Sequence, residues 1–258
     1  MILPQVRVGA HKVSRLIVGG NPFSGHSHRS PELNREMRDY YTVSRIKETL
    51  RRCERSGITA IVARGDNFIM RVLNEYWNEG GKLQWIAQTA SERASIEANI
   101  SQIASFGPIA CYHHGTHTDA LYREGRVDKV KDYLALIRDL GMAVGLGTHN
   151  PEVIRYAENK GFDLDFYMMS FYDIYSRGGE IYLEEDRKAA CGVIRQTDKP
   201  VIAFKILAAG RNNPEEAFKY AFENIKPIDA VVVGVFTKYH ANQIEEDVQL
   251  TNRFAGAT

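Results

Sequence analysis

PIACYHHGTHTDALYREGRVDKVKDYLALIRDLGMAVGLGTHNPEVIRYAENKG, residues 108–161, decides how this chain folds. It opens on PIACYHH (108–114), a near-continuous apolar run of the kind found in strands covered on both faces. Val130, Leu134 and Ile137 then line one side of a helix, and Gly141 stands where a helix end favours a left-handed residue. A second buried strand reads at MAVGLGT (142–148). Asn150-Pro151 then offers a capping side chain and a proline suited to the first helical turn, and Gly161 closes that helix. Buried strands alternating with amphipathic helices make a parallel sheet wrapped in helices.

The pattern extends in both directions. RLIVGG (15–20), TAIVAR (59–64), LQWIAQT (83–89), DFYMMSF (165–171), PVIAFKI (200–206) and DAVVVGV (229–235) are further runs of this kind. Val43, Ile46, Leu50 and Cys53 form one helical stripe and Ile96, Ile100 and Ile103 another. Gly57 closes a helix and Asn213-Pro214 opens one. Roughly eight such units over about 240 residues are the signature of a closed (β/α)8 TIM barrel. An open doubly wound sheet is the competitor, but it wants a glycine-rich phosphate turn after the first strand, and GGNPFSG is not GxGxxG. Ahead of the first strand, Gln5–Val8 and Lys12–Ser14 flank Gly9-Ala10 and read as a β-hairpin closing the bottom of the barrel. With no low-complexity stretch or Pro/Ser-rich linker, residues 1–258 read as a single α/β barrel domain.

The 258 residues are 44% hydrophobic and 25% charged, which suits a large core and excludes wholesale disorder. Lys+Arg number 33 against 32 Asp+Glu, so no global charge draws the chain to nucleic acid or an anionic membrane. No window approaches the ~18 apolar residues of a transmembrane helix. The start, MILPQVRVGAHKVSRLIVGG, lacks the basic-then-apolar order of a secretory signal. Cys53, Cys111 and Cys191 are odd in number, far apart and set in apolar stretches, so they read as buried free thiols in a reducing, cytoplasmic compartment. The expected partner is a small-molecule substrate, with self-association left open.

In such barrels the reacting groups sit at the C-terminal ends of the strands. The first loop, Asn21 to Tyr41, spans about 20 residues, long enough for a binding loop or lid, and carries His26, His28, Arg29 and Arg38. The second strand ends in Arg64 and Asp66, which can bind a substrate oxygen or pair with each other; the third ends at Gln88. The fourth ends in His113-His114-Gly115-Thr116-His117, and one of the two adjacent histidines must face the barrel mouth; His113 is taken as the acid/base. His149, a second candidate catalytic histidine, lies just before a helix N-terminus, where anions are favoured. Tyr172 follows the sixth strand, with Tyr175 and Arg177 beyond it. Lys205, inside an apolar seventh strand, is suited to Schiff-base or proton chemistry, with Arg211 close behind. Thr237 reads as the cap of the last helix, and Lys238 as an anion contact there. Six of the eight histidines fall at one end of the barrel, so a zinc or manganese site on His26, His113 and His149 is a further reading.

VSRLIVGGNPF, GITAIVARGDNFIMRVLNEYW, GLGTHNPEVIRYAE, FKILAAGR and VVVGVFTKYHANQIEEDVQL together resemble the aldo/keto reductases over most of the chain. The resemblance implies a barrel with an Asp, Tyr, Lys and His tetrad and NAD(P)H as cofactor. The matching positions hold Val62, Asn67, and Gln88 or Thr89, so of the tetrad only the histidine is matched, as His113. Of the basic residues that grip the cofactor's 2′-phosphate in that family, Lys238 alone is matched. Three functions follow as expectations. The first is non-redox acid/base chemistry (lyase, isomerase or hydrolase) on an oxygen-rich carbonyl or sugar-derived substrate. The second is an NAD(P)H-dependent reductase with an atypical site. The third is a barrel that binds a small molecule without turnover.

Overall fold

The computed structural model describes residues 3–174 and 181–256, so Tyr175 and Arg177 lie outside the described residues. Two antiparallel strands come first, β1 (Gln5–Val8) and β2 (His11–Ser14), with Val6 opposite Val13. Eight parallel strands then close into a barrel. They are β3 (Leu16–Gly19), β4 (Ala60–Arg64), β5 (Gln84–Gln88), β6 (Ala110–His113), β7 (Ala143–Thr148), β8 (Phe166–Ser170), β9 (Val201–Phe204) and β10 (Ala230–Gly234), which pairs back onto β3. Each lies inside one of the apolar runs read from the sequence. The surrounding helices are α1 (Pro31–Tyr40), α2 (Val43–Arg55), α3 (Asn67–Asn78), α4 (Ile96–Ala104), α5 (Gly115–Arg123), α6 (Val130–Asp139), α7 (Pro151–Asn159), α8 (Glu184–Gln196), α9 (Pro214–Asn224) and α10 (Gln243–Ala255).

Alternation along each strand divides the apolar residues into two cores. One lies between strands and helices and takes Val18, Ile61, Trp85, Cys111, Leu146 and Met169. The other fills the barrel itself with Ile17, Val62, Ile86, Tyr112, Phe166 and Ile202. The hairpin adds Val6, Val8 and Val13 to this inner core and so plugs the bottom. Its turn needs Gly9, whose φ is +57° and where a Cβ would lie 2.7 Å from that of Ala143. Arg15 locks the same end, its buried guanidinium donating to the carbonyls of Asp229, Lys226 and Ala255.

Three local expectations change. The long first loop is folded, with a 3-10 turn at Asn21–Ser24 followed by α1, whose first turn is capped by Ser30. Lys205 stands one residue beyond β9, half-buried, at φ +60°, so it belongs to the loop rather than to the strand. Thr237 does not cap the last helix: α10 begins six residues later, and Thr237 meets the Tyr40 hydroxyl instead. The three cysteines are buried and unbridged, as the sequence suggested.

Candidate active site

At the C-terminal ends of the strands opens a cavity of about 860 Å³. Its floor is set by strand residues, among them Val62, Tyr112, Met168, Phe204 and Val232. Gly147 leaves room on β7: a Cβ there would lie 2.9 Å from the carbonyl oxygen of His113 and 3.1 Å from the Tyr112 ring.

Of the adjacent histidines, the cavity takes His114, not His113. His113 pairs in register with Leu146, and both face the helices. It is fully buried, stacks on Tyr133 of α6 with centroids 5.4 Å apart, and meets Thr118 Oγ1 at 2.8 Å through Nδ1. Burial pushes its pKa down to about 3. It therefore reaches neither the cavity nor His26 or His149, and the trio read as a metal site is not assembled. Among the described residues no group of three or more His, Cys, Asp or Glu side chains is placed to hold a metal ion.

His114 is the N-cap of α5. Its Nδ1 accepts the Thr116 backbone N–H at 3.1 Å, which places the single ring proton on Nε2. Burial first, then the charge of Arg64 and the other nearby histidines, lowers its pKa to about 3. The ring is thus a neutral hydrogen-bond donor.

His149 is wired the opposite way. It is 5% exposed, and its Nδ1 lies 2.8 Å from Oδ2 of Asp119, a buried carboxylate on α5. Asp119 also accepts the His149 backbone N–H at 3.0 Å and the Thr148 hydroxyl. A carboxylate at Nδ1 holds the proton there and leaves the lone pair on Nε2. His149 lines the cavity and packs edge-on to Phe204. Asp119 went unremarked in the sequence. The local signal was a carboxylate in the helix directly after the histidine cluster, one turn beyond Gly115.

The other expected residues divide. Asn21, His26, Arg64, Gln88 and Lys205 line the cavity. Arg64 is held by Glu92 and, at 3.5 Å, by Asp66. Gln88 donates to the Tyr112 hydroxyl at 2.7 Å, and Asn21 Nδ2 sits 3.4 Å from His28 Nε2. Burial, then Arg64, lowers the pKa of His26. Asp66, Tyr172, Arg211 and Lys238 are not in the cavity wall. Asp66 caps α3, accepting the Ile69 N–H. Tyr172 is buried and accepts from Asn212. Arg211 lies over the Tyr182 ring and donates to the His28 carbonyl, while Arg29 donates to the Gly210 carbonyl, so two arginines lace the first loop to the seventh. Lys238 is on the surface, paired with Glu36.

The seventh loop carries unusual backbone. Lys205, Ala208 and Ala209 all have positive φ (+60°, +47°, +55°), a conformation that costs a non-glycine residue about 1 kcal/mol or more.

No protein-family profile matches the chain, and no curated protein matches it. Solved structures do. The chain is similar to PA4992, the proposed aldo-keto reductase of Pseudomonas aeruginosa (TM-score 0.66, 16% identity, 98% of this chain and 96% of that one). It is also similar to the N-acetylmannosamine-6-phosphate 2-epimerase of Clostridium perfringens (TM-score 0.55, 17% identity, 84% and 87% covered). A third is QR15, an aldolase (TM-score 0.53, 10% identity, 83% and 90% covered). At these identities the likeness is one of fold: the chain forms a (β/α)8 barrel like that of the Pseudomonas aeruginosa protein. No helix among the described residues is long and apolar enough to cross a membrane.

Proposed function

We propose that this protein is an enzyme that shifts a proton on the carbon beside the carbonyl of a small, oxygen-rich substrate, the chemistry shared by isomerases, epimerases and aldol-type lyases. The observation that carries the reading is the opposed wiring of His114 and His149 on one cavity wall. His114 Nε2–H donates to the carbonyl oxygen. His149 Nε2 takes the proton from the adjacent carbon, and Asp119 steadies the imidazolium that forms. The electron pair moves into the carbonyl, and the enolate oxygen stays hydrogen-bonded to His114, with Arg64 and Lys205 supplying positive charge around it. Return of the proton to the other face or the neighbouring carbon completes the cycle. A neutral imidazole at a helix N-terminus suits this donor role, because a weak acid can donate strongly without losing its proton.

The nicotinamide cofactor that the resemblance implies fits these residues poorly. Lys238, the matched phosphate-gripping cation, is paired with Glu36. The first turn of α10, the helix near which the resemblance puts the phosphate grip, carries Glu245 and Glu246 rather than cations. Zinc or manganese has no ligand group among the described residues.

The test is incubation in D₂O with a panel of aldoses, ketoses and 2-keto acids, followed by ¹H NMR. Deuterium entering beside the carbonyl with the wild type, and not with His149→Gln, supports the reading. No exchange with any compound, together with micromolar NADPH or NADH binding by fluorescence, overturns it in favour of the reductase. Borohydride trapping of a substrate adduct, lost in Lys205→Ala, would instead assign Lys205 a Schiff base.

A further inference from the structure

The end of the cavity beside α10 differs from the histidine wall. Glu246 and Asp247 line it, together with Gln243 and His240. Asp247 is 3% exposed, and its Oδ2 has no hydrogen-bond partner. The groups that act on it are the Gln243 amide and Glu246 of its own helix and, from α2 packed beside it, the Cys53 thiol. None of these is a cation. A buried carboxyl left in this way destabilises the folded protein compared with a paired one. A bound group that brings hydrogen-bond donors would offset that cost.

We propose that this end of the cavity is a subsite for an amino group of the substrate, bound as a primary ammonium by Asp247 with Glu246 as the second carboxylate. The substrate is then an aminated, oxygen-rich carbonyl compound such as an amino sugar. An ammonium offers three donors and one positive charge to two carboxyls that lack a cation. Asp247 binds it as the carboxylate and gives up its own proton to solvent. A phosphate would instead meet two acids in a poorly hydrated corner and be repelled. The reacting end of this substrate rests on the proton-transfer reading, whereas its capture at α10 does not.

Binding is therefore measured apart from turnover, by calorimetric titration of the full chain with D-glucosamine, D-glucose and D-glucose 6-phosphate. The expected result is that glucosamine binds tenfold or more tightly than glucose, and the phosphate no more tightly than glucose. In Asp247→Asn the preference falls to near unity, with folding checked by circular dichroism and Tm. Glu246→Gln, at an exposed position, lowers the preference in part and keeps the test valid should Asp247→Asn fail to fold. Equal affinity for the amine and the hydroxyl sugar overturns the proposal, as does a preference unchanged in both variants, tightest binding of the phosphate, or no binding of glucosamine at millimolar concentration. A positive result here without deuterium exchange would retain the subsite and remove the proton-transfer mechanism.

Discussion

The two ends of the barrel interior are built on opposite terms. At the bottom, Val6, Val8 and Val13 of the hairpin press against Ile17 and its neighbours, and the buried Ser14 and Arg15 beside them have their hydrogen bonds made. At the top, the same strands end in His114, Arg64, Gln88 and His149 around a cavity of about 860 Å³. The top also holds the positive-φ residues of the seventh loop and a buried carboxyl oxygen without a partner. Close packing and satisfied backbone at one end supply stability that the other end uses up in open volume, strain and desolvated polar groups. Activity and stability should therefore separate by location.

The largest effect is expected at the top. Asp119→Asn frees the His149 tautomer, and turnover should fall by about 10²- to 10⁴-fold in steady-state assays while Tm stays within a few degrees. Loss of both in parallel would mean that Asp119 is a structural cap and would break the comparison. At the bottom, Ile17→Ala should cost about 2–5 kcal/mol in urea denaturation and leave turnover per folded molecule unchanged.

Two further effects sharpen the contrast. Burial pushes the Asp247 carboxyl up to about 8, above its value in the unfolded chain. The wild type therefore loses stability as pH rises from near 4 to 8, by at most about 1.4 kcal/mol per pH unit. Asp247→Asn lacks this loss, so its advantage should be small at pH 4 and greatest at pH 8; a gap independent of pH would show an ordinary carboxyl. The smallest change is expected for Ala209→Gly, which should stabilise the fold by about 1 kcal/mol by removing a strained φ. A destabilised variant would show that the loop is held by packing of the Ala209 methyl.

How much of this was legible in the sequence depends on the kind of signal. Strand positions were clear because eight apolar runs, capped helices and closing glycines repeat a local pattern. Which of His113 and His114 enters the cavity was not, because each strand end offers two faces and one residue of register exchanges them. The resemblance matched His113, whereas the cavity holds its neighbour. Asp66 and Lys238 had the right chemistry at the right end of the barrel, but a helix cap and a surface ion pair engage them. Asp119 and Asp247 sit on helices, where the strand-end rule does not look.

The sequence by itself determined the closed (β/α)8 barrel, its hairpin plug and the end at which polar chemistry gathers, because these follow from periodicity and from residues adjacent in the chain. Only the tertiary structure decided that His149 answers to Asp119, that His114 answers to the first turn of its own helix, and that Asp247 borders the cavity with one buried oxygen unpaired. Those facts depend on side-chain direction and on residues brought together from distant strands and helices, and on the desolvation that their packing creates.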